Sequence, residues 1–326
     1  MGFRRGRAKG KKPRKDSTGS PEPAGGRGIP DPRANEQVMS KISRLLRERE
    51  FGSMEEATAF LNAHVTGRPI DEVLGGGPQS DLQRAQDLMY QAFDAPDRRW
   101  RIRMAEQALE ISPDCADAYS LLAEEKANSA AEARPYYEKA VEAGERALGA
   151  ETFEEEAGHF WGILETRPYM RAREGLAECL WMLGEREEAI GHWDDMLRLN
   201  PNDNQGVRDA LITRLLLVGE HGKAGEVLER YAEDGSANRL YNRALWLYVD
   251  QGESPEAESA LLEAVEHNEH VPAYLLGEKK PPRDPPAYMG VGDASEAQVY
   301  AAEGVELWRR IEGARGWLLR VTQRHG

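Results

Sequence analysis

Residues 170–203 read MRAREGLAECLWMLGEREEAIGHWDDMLRLNPND. They describe two amphipathic helices folded back on each other. Leu176, Ala177 and Leu180 recur at helical spacing before Gly184, and Ala189, Trp193 and Leu197 recur after it. Ala177 and Ala189 are small because two helices must cross closely at those points. Gly184 ends the first helix and permits a tight turn, since glycine takes a positive φ without cost. Pro201 closes the second helix, because it cannot continue one.

The pattern recurs downstream in phase. Gly184, Gly219 and Gly252 fall 35 and 33 residues apart, and Ala189, Ala224 and Ala257 fall at the same two spacings. A helix pair repeating at about 34 residues is the tetratricopeptide period. Two weaker units lie upstream. One ends ALEISPDC with Pro113 at the closing position; the next places Tyr119, Leu122 and Ala123 in its first helix and Ala133, Tyr137 and Ala140 in its second. The reading is therefore an all-α, right-handed tetratricopeptide-type solenoid over 81–270, with units at 82–115, 116–148, 170–203, 204–236 and 237–270.

Between the second and third units, residues 149–169 (GAETFEEEAGHFWGILETRPY) are too long for an inter-repeat turn. The acidic run 154–156 reads as a solvated helix start. Phe160, Trp161, Ile163 and Leu164 either pack back on the solenoid or form a partner-binding edge. Upstream, 35–80 is a helical lead-in: one helix at 35–50 with Val38, Ile42, Leu45 and Leu46 on one face, and a second after Ser53, whose Glu56 has capping-box spacing. A flexible break follows at 75–78. Residues 271–326 form a Pro-rich crossing and then a helix at 295–311, which Asp293 or Ser295 can cap and which carries Val299, Ala302, Leu307 and Trp308. A short element at 317–319 ends the chain. A solenoid end exposes apolar surface, so a terminal capping helix is the expected device.

The 326 residues are 40% apolar and 31% charged, with a net charge of -14. That charge is unevenly spread. Residues 1–33 hold ten Lys/Arg against three Asp/Glu, leaving the remainder at -21. The acidic body repels phosphate backbones and argues against a nucleic-acid-binding core. The arm at 1–34 is too polar to offset its ordering entropy and is expected to be disordered. Its function is either a solubilising tail or contact with nucleic acid, acidic protein or anionic lipid. A nucleic-acid-associated factor acting through this arm is thus the alternative reading of the protein. Two cysteines, Cys115 and Cys179, sit at apolar-periodic positions in expected helices, so no disulfide framework is expected and a reducing cytoplasm fits. No run of about 18 apolar residues and no secretory core segment is present, and Gly6 stands where a myristoylation motif needs Ser or Thr.

No catalytic, cofactor or metal constellation emerges. His267 and His270 lack a third ligand and the HExxH arrangement, and read as imidazoles at a helix C-terminus. His192, Asp194 and Asp195 read as a solvated helix face, and Cys179 beside Glu178 as packing. Gly75–Gly77 lacks the lysine of a phosphate loop. The arginines are the better lead. First helices of such repeats line a concave groove, which places Arg171, Glu174 and Trp181 there, then Asp209 and Thr213 with Asn204 and Arg208 at the entrance, then Arg239, Asn242, Arg243 and Trp246. Arg239, Asn242 and Arg243 partly resemble the carboxylate clamp of chaperone-binding tetratricopeptide proteins, in which guanidinium groups grip carboxylates and Asn donates to peptide backbone. The competing reading is that these arginines pair internally with Glu174, Glu178 and Asp209. The expected function is a non-catalytic scaffold holding a peptide or protein partner with carboxylate groups, as a monomer or weak dimer.

The segments EHNEHVPAYLLG (266–277) and GDASEAQVYAAEGVELWRRIEGARGWL (292–318), with ISPDCADAYSLLAEE (111–125) upstream, resemble the suppressor of tumorigenicity protein seven family. The resemblance spans roughly 100–320, and the C-terminal block is its most specific part. RPYMRAR (167–173) and LNPNDNQGVR (199–208) are also similar to bacterial repeat proteins. The resemblance implies a tetratricopeptide fold and no established catalytic activity. Animal members are regarded as membrane proteins; this chain lacks an apolar span before the repeats, so that location is not carried over.

Overall fold

The structure is a computed structural model that describes residues 32–47, 49, 51–64, 79–283, 286 and 288–325. The expected disorder of the basic arm before residue 32 and the expected break at 75–78 lie outside those residues. The described chain is all helical: α1 (Pro32–Arg47), α2 (Met54–His64), α3 (Asp81–Asp94), α4 (Arg98–Ile111), α5 (Ala116–Lys126), α6 (Ala130–Glu155), α7 (Arg167–Leu183), α8 (Arg186–Leu199), α9 (Val207–Val218), α10 (His221–Arg230), α11 (Ala237–Gln251), α12 (Pro255–His267), α13 (Val271–Leu275), α14 (Ala294–Arg310) and α15 (Ala314–His325). Helices α3 to α12 pack as successive antiparallel pairs, the solenoid arrangement that the 34-residue period predicts.

Local chemistry sets the boundaries. Gly184 and Gly219 take φ of 87° and 84° at the ends of α7 and α9, where a side chain would be strained. Ser80, Ser129, Ser236 and Ser254 each accept a hydrogen bond from the first turn of the helix they precede. Ser53 does the same for Glu56 N at 3.2 Å, but the Glu56 carboxylate takes Gly52 N at 2.8 Å rather than the backbone of Ser53, so the box is shifted by one residue.

Several expected boundaries move. α1 starts at Pro32, not at 35, because proline's fixed φ suits a first helical position. Residues 154–156 lie at the end of a helix rather than at its start: α6 runs on to Glu155 after a break at Gly149, whose φ is 73°. The rest of the insert folds back. Gly158 N donates to Leu199 O at 2.9 Å, and Phe160 is fully buried against Phe153 and Tyr169, with Trp161 packed beside that core. Cys115 is not within a helix but at the position before α5, fully buried, and burial pushes its thiol up to about 12. The final element is a full helix, α15, rather than a short one.

The C-terminal block is held by aromatic side chains. Tyr241 stacks on Tyr300 at 5.5 Å, and Tyr248 on Trp317 at 4.6 Å. Asp293 caps α14, accepting from Ser295 N and Glu296 N. Glu296, 3% exposed, accepts from Ala237 N, Gly292 N, Asn268 and His267, and these contacts hold its carboxyl below its usual value despite burial. His267 therefore serves as a joint between α12 and α14.

Glycine is also needed where two helices touch. A Cβ on Gly175 of α7 would overlap the ring of Tyr137 on α6. Gly175→Ala is expected to destabilise by roughly 1–3 kcal/mol through overpacking, even though alanine favours helix. Thermal melts check this; an unchanged melting temperature would mean that the Tyr137 ring swings aside freely.

Candidate functional site

The first helices of the repeats, α5, α7, α9 and α11, lie side by side, and polar side chains bridge them. Gln205, just before α9, donates to Glu174 of α7 at 2.8 Å; Arg214 of α9 pairs with Glu178 of α7 at 3.2 Å; Asn242 of α11 donates to Thr213 of α9 at 3.3 Å. This is the face on which the sequence places a partner.

Two of the chain's own helices bind there. At the N-terminal end α1 inserts Glu36, 3% exposed, against Arg171 at 2.9 and 3.1 Å and Arg167 at 3.2 Å. Arg171 also grips Asp117 of α5 with two bonds, at 2.7 and 3.0 Å. Burial works against the Arg171 charge, yet Asp117 and Glu36 more than offset it and hold the guanidinium above its ordinary value. At the C-terminal end α14 lies over α9 and α11. Its Glu303 pairs with Arg214 at 2.8 Å, and Tyr300 donates to Asn242 Oδ1 at 3.1 Å.

The expected partner-binding residues therefore divide. Arg171 is committed to Glu36 and Asp117. Arg208 pairs with Asp203 at 3.0 Å and Asp234 at 2.8 Å. Asn242 does not face the groove: α14 covers it, and it is fully buried. Trp246 donates to His221 O at 2.9 Å and packs on Gly225 of α10. Trp181 is partly buried, with Arg214 and Arg186 over its ring at 5.1 and 5.5 Å. Asn204 is exposed. Arg239 and Arg243 remain neighbours. Arg243 makes a long 3.5 Å pair with Glu263, while Arg239 donates to Asp234 O at 3.2 Å and keeps its Nε buried without an acceptor. The three-residue clamp of Arg239, Asn242 and Arg243 is not assembled, because Asn242 points into the α9–α14 contact.

Alongside these pairs runs a strip of half-buried carboxylates. Burial raises the carboxyl of Glu174, with Glu178 and Asp203 adding to the effect. Burial also raises Glu178, with Glu303 adding and Arg214 opposing. Asp209 is pushed up to about 7 by burial, with Asp234, Asp203 and Glu303 nearby and Arg208 opposing. One Asp209 oxygen is enclosed without any donor. Glu36 and Glu303 escape a sequence reading because they reach the groove from helices outside the repeats.

The other constellations are structural. His192, half-buried, accepts from Arg173 Nε at 3.1 Å; burial and that guanidinium lower its pKa to about 4. Asp195 pairs with Arg173 and Arg198. Among the described residues no three His, Cys, Asp or Glu side chains are grouped to hold a metal, and no helix is long and apolar enough to cross a membrane.

The sequence model of the ST7 protein family matches residues 78–325. A suppressor of tumorigenicity 7 protein-like chain of Gallus gallus is 31% identical over 255 residues, covering 72% of this chain and 46% of that protein. Its Homo sapiens counterpart is 31% identical over 258 residues, covering 72% and 45%. The suppressor of tumorigenicity 7 protein of Macaca fascicularis is 30% identical over 280 residues, covering 72% and 52%. The chain thus spans about half the length of the curated relatives it matches. Among solved structures, the TPR protein YrrB is similar at 20% identity with a TM-score of 0.42, covering 56% of this chain and 85% of YrrB. With a family match over most of its length and relatives at this identity, the chain belongs to the ST7 protein family.

Proposed function

We propose that the chain is a non-catalytic protein-interaction scaffold whose groove, between α1 and α14, holds a partner segment carrying positive charge. The observation that carries this reading is Asp209. Its carboxylate has one oxygen enclosed without a donor and lies among Asp203, Asp234 and Glu303. A buried acceptor without a partner is costly, and a lysine or arginine from a ligand would supply the missing donor. The groove's fit to helices is supported by α14, which lies on it with Tyr300 and Glu303 bonded to α11 and α9.

A second reading keeps the opposite chemistry. Arg239 Nε is buried without an acceptor beside Arg243, so a carboxylate-bearing partner at that end of the groove remains supported. Affinity capture with the full-length chain separates the two. The Asp209→Asn/Glu174→Gln variant is expected to lose the captured partners, and Arg239→Ala/Arg243→Ala to keep them. The reverse pattern would establish the acidic partner, and identical capture by all three chains would remove the groove from consideration.

A further inference from the structure

The seat of α1 is underfilled. Glu36 of α1 meets Arg167 and Arg171, and one turn later on the same helix face stands Ser40. Beneath Ser40 and Arg44 is a cavity of about 90 Å³, walled on the repeat side by Leu82, Tyr90, Leu164 and Pro168 among others. Such a space exceeds what a water molecule occupies, and its lining is mainly apolar. Arg44 pairs with Asp87 at 3.2 Å but leaves its Nε buried without an acceptor. The outer face of α1 presents Val38 and Met39 to solvent, 47% and 48% exposed.

α1 is also a separable element. Its end at Arg47 lies far in sequence from the start of α3 at Asp81, so its seat, rather than direct chain continuity, places it against the repeats. A tethered helix competes at an effective concentration on the order of mM. An outside helix succeeds only if it binds the seat intrinsically better, and the cavity under Ser40 is where such an advantage is available.

We propose that the seat of α1 is a docking site for an amphipathic partner helix that carries a carboxylate at the Glu36 position and a large apolar side chain at the Ser40 position, with α1 as its exchangeable resident. The carboxylate meets the paired guanidinium groups of Arg167 and Arg171, and the apolar side chain fills the space over Leu82 and Pro168. This site is distinct from the carboxylate strip between α1 and α14. It rests on the scaffold reading only in taking the repeats to bind partners, and its probe is a defined peptide, so it can fail while capture through Asp209 succeeds.

The probe is a fluorescein-labelled peptide of residues 32–47 bearing Ser40→Leu, titrated by anisotropy into full-length protein. The Glu36→Lys chain, whose own helix cannot hold the two arginines, is expected to bind it at least ten-fold more tightly than wild type. The unsubstituted peptide should bind that chain roughly ten-fold more weakly than the leucine peptide, from the apolar surface it fails to bury. A leucine peptide with Glu36→Gln should bind more weakly still. In cis, Ser40→Leu in the full-length chain should raise the melting temperature and keep peptide binding as weak as in wild type. Circular dichroism establishes that Glu36→Lys retains its helices; if it does not, Arg44→Ala loosens the same helix through Asp87 and takes its place. Equal affinity for the serine and leucine peptides, no binding to the loosened chain, or a lower melting temperature for Ser40→Leu would overturn the proposal. So would a concentration-dependent dimer of the Ser40→Leu chain, which would assign the seat to a second copy.

Discussion

Arg171→Ala is expected to destabilise the protein by about 3–5 kcal/mol, because it strands two buried carboxylates. Asp117 is 1% exposed and Glu36 4% exposed in their side chains. Without Arg171, the contacts that remain among the described residues are Gln86 to Asp117 at 2.7 Å and Arg167 to Glu36 at 3.2 Å. At this size a loss of about 3–5 kcal/mol lowers the melting temperature by roughly 4–7 °C. Arg171→Lys should rescue little, since one ammonium cannot make paired bonds to two carboxylates at once. Arg171→Met combined with Glu36→Gln and Asp117→Asn should recover much of the loss, as the stranded charges are then gone. A single Arg171→Ala variant melting within about 1 kcal/mol of wild type would contradict this account. The result also governs how groove variants are read. A capture experiment on Arg171→Ala alone would confuse unfolding and release of α1 with loss of a partner contact.

The repeat architecture was legible because each unit repeats the same demands: small residues at Ala177 and Ala189 where helices cross, and glycine at 184, 219 and 252 where the chain turns with positive φ. The groove was harder, for a physical reason. Periodicity identifies which residues share a helix face, but not what covers that face. Asn242 has the spacing of a groove residue and is buried because α14 crosses over it, from 58 residues further along the chain at Tyr300. Arg171 has the spacing and chemistry of a carboxylate binder and does bind carboxylates, one of them on a helix 135 residues earlier. The competing reading paired the candidate groove arginines with Glu174, Glu178 and Asp209; Glu178 does pair, but with Arg214, which was not among them, and the acids that hold Arg171 and Arg208 are Glu36, Asp117, Asp203 and Asp234. Asp117 stands at the repeat position that Arg171 and Arg239 occupy in later units, and an acid in register with those arginines was the available clue to that network.

Asp209→Asn is expected to stabilise the protein above neutral pH and to do little in acid. Asp209 has its carboxyl raised from 3.8 to about 7, chiefly by burial, with Asp203, Asp234 and Glu303 adding to the effect and Arg208 opposing it. A raised acid binds its proton more tightly in the folded protein than in the unfolded chain. Its contribution is therefore fullest below pH 3.8, falls as pH climbs toward 7, and is lost above that. Asparagine has nearly the same shape and no charge, so it removes the loss. At about 1.36 kcal/mol per pH unit, the difference between variant and wild type approaches on the order of 4 kcal/mol at pH 8 and vanishes near pH 4. Melting curves at both pH values check it, and a difference that does not change with pH would contradict it. The same linkage bears on binding. A partner cation set against Asp209 favours its ionised form, so binding releases a proton, and affinity for a basic segment should rise with pH up to about 7. Asp209→Asn should weaken that affinity and flatten its pH dependence together. A partner that binds the variant with undiminished affinity and an unchanged pH profile does not use this carboxylate.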